Sequence, residues 1–274
     1  MDLGKFDGVL LVSDFDDTLY GSAHTVTRAT RDALDCFRRE GGRFTVATGR
    51  AWPTFTPQIE KNALILDAPV ILSNGAAVFD YARGQYLRKT FLRPEAADDL
   101  GELSRKLPKI GLEFYHNEDI YVVHPNPVSL RHLEKVGTPW REAGRVEEIP
   151  APYVKVILEG EHQELEEAQE YLLGRWGEFY EAIFSNPVLL DVTRKGATKG
   201  GMVAWLREEL GLRAENVYCV GDSSNDLSML QTAQVGYAPA NCTPDLRAAG
   251  AVILPDCDHE PIPALIADLE KRYG

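Results

Sequence analysis

Ser13-Asp14-Phe15-Asp16-Asp17-Thr18-Leu19 follows the apolar run Val9-Leu10-Leu11-Val12, so a buried strand ends in a cluster of carboxylates. Carboxylates crowded this closely repel one another, and taking them out of water costs several kcal/mol each unless a cation or a proton compensates. A bound divalent metal with hard oxygen ligands resolves the conflict. Mg2+ prefers one or two carboxylates, several waters and the oxygens of a phosphate. These residues therefore point to phosphate chemistry.

Three more strand-like runs end in compact polar turns. Phe44-Thr45-Val46-Ala47 leads to Thr48-Gly49-Arg50, and Val70-Ile71-Leu72 leads to Ser73-Asn74-Gly75. Val217-Tyr218-Cys219-Val220 leads to Gly221-Asp222-Ser223-Ser224-Asn225-Asp226. In open parallel sheets ligands bind beyond the carboxyl ends of the strands, so neighbouring strands would bring these turns to one rim. Each turn alone is also an ordinary helix cap or strand exit. Together, in chain order and with the same rhythm, they read as one site.

The elements that must position them alternate between strand and helix. Thr27 to Glu40 has a helical stripe of Ala33, Leu34 and Phe37 and stops at Gly41-Gly42; a second helical piece runs around Thr54 to Asn62. Strands separated by helices in this way indicate βαβ units and a parallel sheet. From about Val78 to Pro187 the character changes. Strand candidates Gln85-Tyr86-Leu87, Ile120 to Val123 and Tyr153 to Leu158 are interleaved with acidic helical patterns, Glu95 to Leu107 and Glu161 to Trp176. Pro125, Pro127, Pro139, Pro150 and Pro152 punctuate loops there. This segment reads as an α+β domain without catalytic spacing. After it the first rhythm returns, with a helical pattern from Lys199. The expected fold class is α/β: a parallel-sheet core from residues 1–78 and 188–274, with residues 79–187 inserted.

At 274 residues, 44% hydrophobic and 26% charged, the chain has the make-up of an ordinary globular protein. Its formal charge of -13 argues against duplex nucleic acid or an anionic membrane as the main partner. An anionic substrate stays possible, because a metal and a few local lysines or arginines can reverse the field in one pocket. The N-terminus lacks the pattern of a signal peptide, and no run of about 18 apolar residues predicts a transmembrane helix. Cys36, Cys219, Cys242 and Cys257 form no CxxC pair, so reduced thiols and a cytoplasmic location are expected. His24, His116, His124 and His132 have no metal-ligand spacing.

Taken together the motifs resemble the haloacid dehalogenase (HAD) superfamily of phosphohydrolases, specifically its Cof-type branch with an inserted α/β cap on a Rossmann-like core. Asp14-Phe15-Asp16-Asp17-Thr18 matches the Asp-x-Asp-x-Thr motif, and Thr48-Gly49-Arg50 the second motif. Thr198-Lys199-Gly200 matches the third, and Gly221 to Asp226 matches Gly-Asp-x-x-Asn-Asp. Ser73-Asn74-Gly75 also fits the branch. The resemblance spans nearly the whole chain. Asp17 departs from it, standing where many members have Gly.

The resemblance implies a role for each matched residue. Asp14 would be the nucleophile that forms an aspartyl-phosphate. Asp16 would protonate the leaving oxygen and then activate water, for which a pKa raised by neighbouring negative charge is expected. Mg2+ would bind the carboxylates of Asp14 and Asp222 and the backbone carbonyl of Asp16, with Asp226 supporting it through water or a hydrogen bond. Thr48, the Gly49 amide, Lys199 and Asn225 would hold the phosphoryl oxygens. Lys195, four residues before Lys199, reads as a loop residue, and Arg50 either touches substrate or pairs with an acidic neighbour.

The implied activity is a Mg2+-dependent phosphatase acting on a small phosphorylated metabolite, such as a sugar phosphate, a nucleotide-pathway intermediate or pyridoxal phosphate. A phosphomutase on the same scaffold and a silent phosphate-binding protein are the alternatives. Specificity is expected in the inserted domain. Glu113, Tyr115, His116 and Asn117 are candidates for it, or else a solvent-exposed strand or loop. The patterns carry no reading of oligomeric state.

Overall fold

The structure, a computed structural model, describes residues 4–274; the first three residues of the segment read for a leader lie outside the described residues. The chain opens with β1 (Leu10–Ser13), α1 (Arg28–Arg39), β2 (Arg43–Val46), α2 (Trp52–Lys61) and β3 (Val70–Leu72). A meander follows, β4 (Ala77–Asp80) and β5 (Gln85–Lys89). The middle of the chain runs through α3 (Ala96–Lys106), β6 (Gly111–His116), β7 (Asp119–Val123), α4 (Pro127–Val136) and β8 (Trp140–Glu142). It continues with β9 (Lys155–Glu159), α5 (His162–Trp176), β10 (Tyr180–Asn186) and β11 (Leu189–Arg194). The chain then returns through α6 (Lys199–Glu209), β12 (Val217–Val220), α7 (Leu227–Thr232), β13 (Val235–Pro239), α8 (Pro244–Ala248), β14 (Val252–Leu254) and α9 (Pro261–Tyr273).

The core sheet has the order β14-β13-β12-β1-β2, and every pair in it is parallel. Helices cover both faces, as the alternation of strand side chains requires. Leu11 packs with Phe37 of α1 and Leu265 of α9 on one face. Leu10 and Val12 pack with Val203 of α6, Met229 of α7 and Leu246 of α8 on the other. Chain order reverses at β1, which leads to β2 on one side and lies beside β12 on the other. A crevice opens at such a reversal beyond the strand ends.

The inserted sheet has the order β10-β11-β9-β6-β7-β8. Period-two alternation sorts its residues by face. Leu112, Phe114, Val156, Leu158, Leu190 and Val192 are buried with Leu100 of α3 and Leu165 of α5. Their neighbours Glu113, Tyr115, Lys155, Glu159 and Asp191 point to the opposite face, yet all are buried. That polar face is turned toward the core.

Two expectations need correction. The borders at 78/79 and 187/188 do not follow the sheets. The first cuts β4, whose Ala77 and Phe79 pack into the core with Phe55 and Val70. The second falls in the turn between β10 and β11, and β11 pairs with β9 and β10 of the inserted sheet. The chain therefore crosses between β5 and α3 and between β11 and α6. The prolines near residue 125 also mark a helix rather than a loop. Asn126 caps α4 by accepting from the amides of Val128 and Ser129, with Pro127 in the first turn and Gly137 (φ 68°) ending it. Among the described residues no helix is long and apolar enough to cross a membrane.

Candidate active site

A cleft of about 290 Å3 lies between the carboxyl ends of β1, β2 and β12 and the polar face of the inserted sheet. Asp14, Asp16, Thr48, Gly49, Asp222 and Asn225 all line it. Register accounts for this: Ser13 sits opposite Val220 of β12 and Val46 of β2, so the turns that follow these three strands start level with one another.

Local backbone demands explain several of the motif residues. Asp17 has φ 58°, the left-handed conformation that Gly adopts freely and Asp tolerates, so the departure from Gly keeps the turn. A Cβ at Gly200 would collide with the backbone carbonyl of Ser228, so this glycine lets α6 approach α7 closely and sets Lys199 under the site.

Asp14, Asp222 and Asp226 each offer a carboxylate oxygen within 4.8 Å of the others. Lys199, fully buried, donates to Asp14 at 2.5 Å and to Asp226 at 2.6 Å. The second oxygen of Asp226 accepts from the amides of Asp222 and Ser223. Asp226 is thus fully engaged, whereas Asp14 is bonded through one oxygen to Lys199 and Asp222 through one oxygen to Thr18, at 2.8 Å.

The charges do not balance: three carboxylates face one ammonium. Burial raises Asp14 well above the usual carboxylate range, and Asp226 and Asp222 add to the effect against the pull of Lys199. Burial and Asp226 together push Asp222 up to about 7. Asp14 and Asp226 hold Lys199 in its charged form despite its burial. A divalent cation with hard oxygen preference fits this donor set, and Asp14 and Asp222, each with an oxygen to spare, are the residues that would hold it.

Asp16 differs from expectation. Its carboxylate is gripped by Arg50, with distances of 2.7 and 2.8 Å to the two oxygens. Burial pushes Asp16 up, but the guanidinium outweighs it and holds the carboxyl below its ordinary value. The expected upward shift is therefore absent in this arrangement, because Arg50 bonds both carboxylate oxygens. Of the two readings of Arg50, the structure takes the ion pair. Lys195 is exposed and pairs with Glu181.

Thr48 is buried, and its hydroxyl accepts from the Arg50 amide. The carbonyl of Gly49 accepts from Lys155 of β9 at 2.9 Å, and Lys155 also donates to Asp191 at 3.1 Å. Lys155 thus ties the inserted domain to the rim of the core. Asn225 donates to Asn74, whose own side-chain Nδ2 is buried with no partner among the described residues. Asn74 was visible in its Ser-Asn-Gly turn but carried no role in the sequence. An orphan donor beside Thr48 and Gly49 is suited to an oxygen ligand.

The roof holds a second polar cluster that sequence spacing does not show. His132 Nδ1 lies 2.8 Å from Glu159 and 3.1 Å from Glu113. Glu113 also accepts from the hydroxyl of Tyr115. Glu113 and Tyr115 are therefore buried residues of the roof sheet, not part of an exposed strand; His116 and Asn117 do not line the cleft.

A family model for haloacid dehalogenase-like hydrolase matches residues 11–266. The chain is 26% identical over 258 residues to the pyridoxal phosphate phosphatase YbhA of Escherichia coli (strain K12), covering 90% of this chain and 93% of that protein. It is also 26% identical over 240 residues to the HMP-PP phosphatase of Serratia proteamaculans (strain 568), covering 87% and 86%. Among solved structures it is similar to the HAD subclass IIB sugar phosphatase BT4131, with a TM-score of 0.85 at 22% identity over 96% of this chain and 99% of that one. At that identity the likeness is one of fold.

Proposed function

The chain belongs to the haloacid dehalogenase-like hydrolases, and from that premise we propose that it is a Mg2+-dependent phosphatase of the cytoplasm that hydrolyses a small phosphomonoester through an aspartyl-phosphate. One observation carries this reading: Asp14, Asp222 and Asp226, brought from opposite ends of the chain, converge around a buried lysine with more negative charge than the lysine can balance.

Asp14 attacks phosphorus with its carboxylate and takes the phosphoryl group as a mixed anhydride. Lys199 steadies Asp14 and offsets charge beneath it. Asp16, released from Arg50, first takes up a proton, gives it to the departing oxygen as the P–O bond breaks, and then takes a proton from the water that attacks the anhydride. Thr48, the Gly49 amide and Asn225 hold phosphoryl oxygens, and the orphan amide of Asn74 is close enough to Asn225 to help. Asp14, Asp222 and the Asp16 carbonyl would hold Mg2+, which would supply charge neutralisation and orientation for the phosphoryl group. The roof excludes water while the anhydride forms. The cleft volume suits a small metabolite, in line with relatives named for pyridoxal phosphate and HMP-PP.

The test is release of inorganic phosphate from p-nitrophenyl phosphate with Mg2+ and with EDTA. Turnover is expected only with the metal. Asp14→Asn is expected to lose at least about 10^4-fold in kcat while keeping its circular dichroism spectrum. Wild-type activity in that variant would refute the mechanism. A hexose 1-phosphate that yields 6-phosphate without free phosphate would instead establish a mutase.

A further inference from the structure

Helix α4 forms the part of the roof opposite Asp16, and the face it turns to the cleft is cationic. Arg131, His132 and Lys135 all line the cleft, beside the apolar Val128 and Val136. Arg131 and Lys135 are one helical turn apart, which puts them on one stripe. Ion pairs at the cleft use Arg50, His132 and Lys155; among the described residues Arg131 and Lys135 have no carboxylate within ion-pair distance. The charge of Lys135 reaches across to Asp16 and helps to hold it ionised. A concentration of unpaired cations in a chain of net charge -13 calls for a ligand.

The third cation is built in from behind. His132 Nδ1 is shared by Glu113 and Glu159, two fully buried carboxylates on adjacent strands β6 and β9. That fixes the ring and leaves its Nε2 without a protein partner among the described residues. The remaining charged and titratable groups on this face are Tyr115, bonded to Glu113, and Lys155, bonded to Asp191. Burial disfavours the imidazolium, but the two carboxylates outweigh it and push His132 up to about 9, so it is a cation at neutral pH.

We propose that Arg131, His132 and Lys135 form an anion subsite for the leaving group, and that the preferred substrates are phosphomonoesters whose leaving alcohol carries a second anionic group, a carboxylate or a second phosphate. The inference rests on the phosphatase reading, which puts the phosphoryl group at Asp14 and so directs the leaving group past Asp16 to α4. Glu113 and Glu159 are positioning residues that act through His132.

Matched substrates test it. 3-Phosphoglycerate against glycerol 3-phosphate reads the carboxylate; fructose 1,6-bisphosphate against fructose 1-phosphate reads the second phosphate. The anionic member of at least one pair is expected to have the higher kcat/KM by about tenfold or more, mainly through KM, and the pair that responds identifies the anion. In the double variant Arg131→Gln, Lys135→Gln the ratio is expected to fall toward one, whereas Arg131→Lys retains most of it. In Glu159→Gln the pH above which the preference fades is expected to move down from about 9 toward the ordinary histidine value. Equal kcat/KM within both pairs, in an enzyme that hydrolyses p-nitrophenyl phosphate, would overturn the subsite and leave the phosphatase standing. No turnover of p-nitrophenyl phosphate would overturn both.

Discussion

Arg50 holds both carboxylate oxygens of Asp16, Nε to Oδ2 at 2.8 Å and Nη2 to Oδ1 at 2.7 Å. Two residues that follow neighbouring parallel strands thus lock each other, and the Arg50 guanidinium also lies 5.4 Å from the ring of Phe15. A carboxyl held this way is ionised, and it can donate a proton only after Arg50 lets go and it takes one up.

The first prediction follows from that pair. Asp16 titrates below its ordinary value when folded, so the pair stabilises the protein above the unfolded aspartate pKa of about 3.9 and the gain is lost as pH falls through the folded value. Arg50→Gln is expected to be less stable than wild type by about 1 kcal/mol at pH 7, with the gap closing toward pH 3. Urea unfolding across that range measures it. A gap that does not change with pH would mean that Arg50 acts by packing alone.

Asp222 has the opposite sign. Its folded pKa of about 7 lies above the unfolded value, so its contribution is fully present below about pH 4 and is lost as pH rises through 7. Metal-free protein is expected to lose thermal stability between pH 5 and pH 8, and millimolar Mg2+ to restore it most at pH 8. Asp222→Asn should flatten both trends and weaken Mg2+ activation. Thermal melts with EDTA or Mg2+ decide the point.

Lys155 and Asp191 are both nearly inaccessible to solvent and 3.1 Å apart. Removing one member leaves the other buried and uncompensated, so Lys155→Met is expected to cost about 3 kcal/mol or more. Lys155→Met with Asp191→Leu should recover most of that stability. It should not recover the tether to the Gly49 carbonyl. Stability measurements alongside kcat/KM separate the two roles, because only the stability is expected to return.

Gly200→Ala sets a methyl group against the Ser228 carbonyl and forces α6 away from α7. A loss of about 1–3 kcal/mol is expected, together with reduced kcat as Lys199 moves from under Asp14. Gly174→Ala, within α5, is the control, because a Cβ there meets no atom within 4 Å.

The parallel core and its rim could be read from the chain because each part is local. The apolar runs of β1, β2 and β12 end in the turns that carry Asp14, Thr48 and Asp222, and a strand needs only its own residues to announce itself. Asn74 was half legible: its turn is recognisable, but its orphan amide exists only beside Asn225 and Gly49. Helix α4 was missed because Pro125 and Pro127 looked like loop punctuation. The Asn126-Pro127 start was the available signal, since Asn caps and Pro is tolerated in the first turn.

What the sequence determined alone is the order of strands and turns and the residue types placed at each strand end, because side-chain alternation and turn chemistry are set by near neighbours. Tertiary structure decided the state of those groups. Asp16 is paired with Arg50, and His132 is charged by Glu113 and Glu159, because electrostatic energy depends on distance in space, and these partners are 34, 19 and 27 positions apart along the chain.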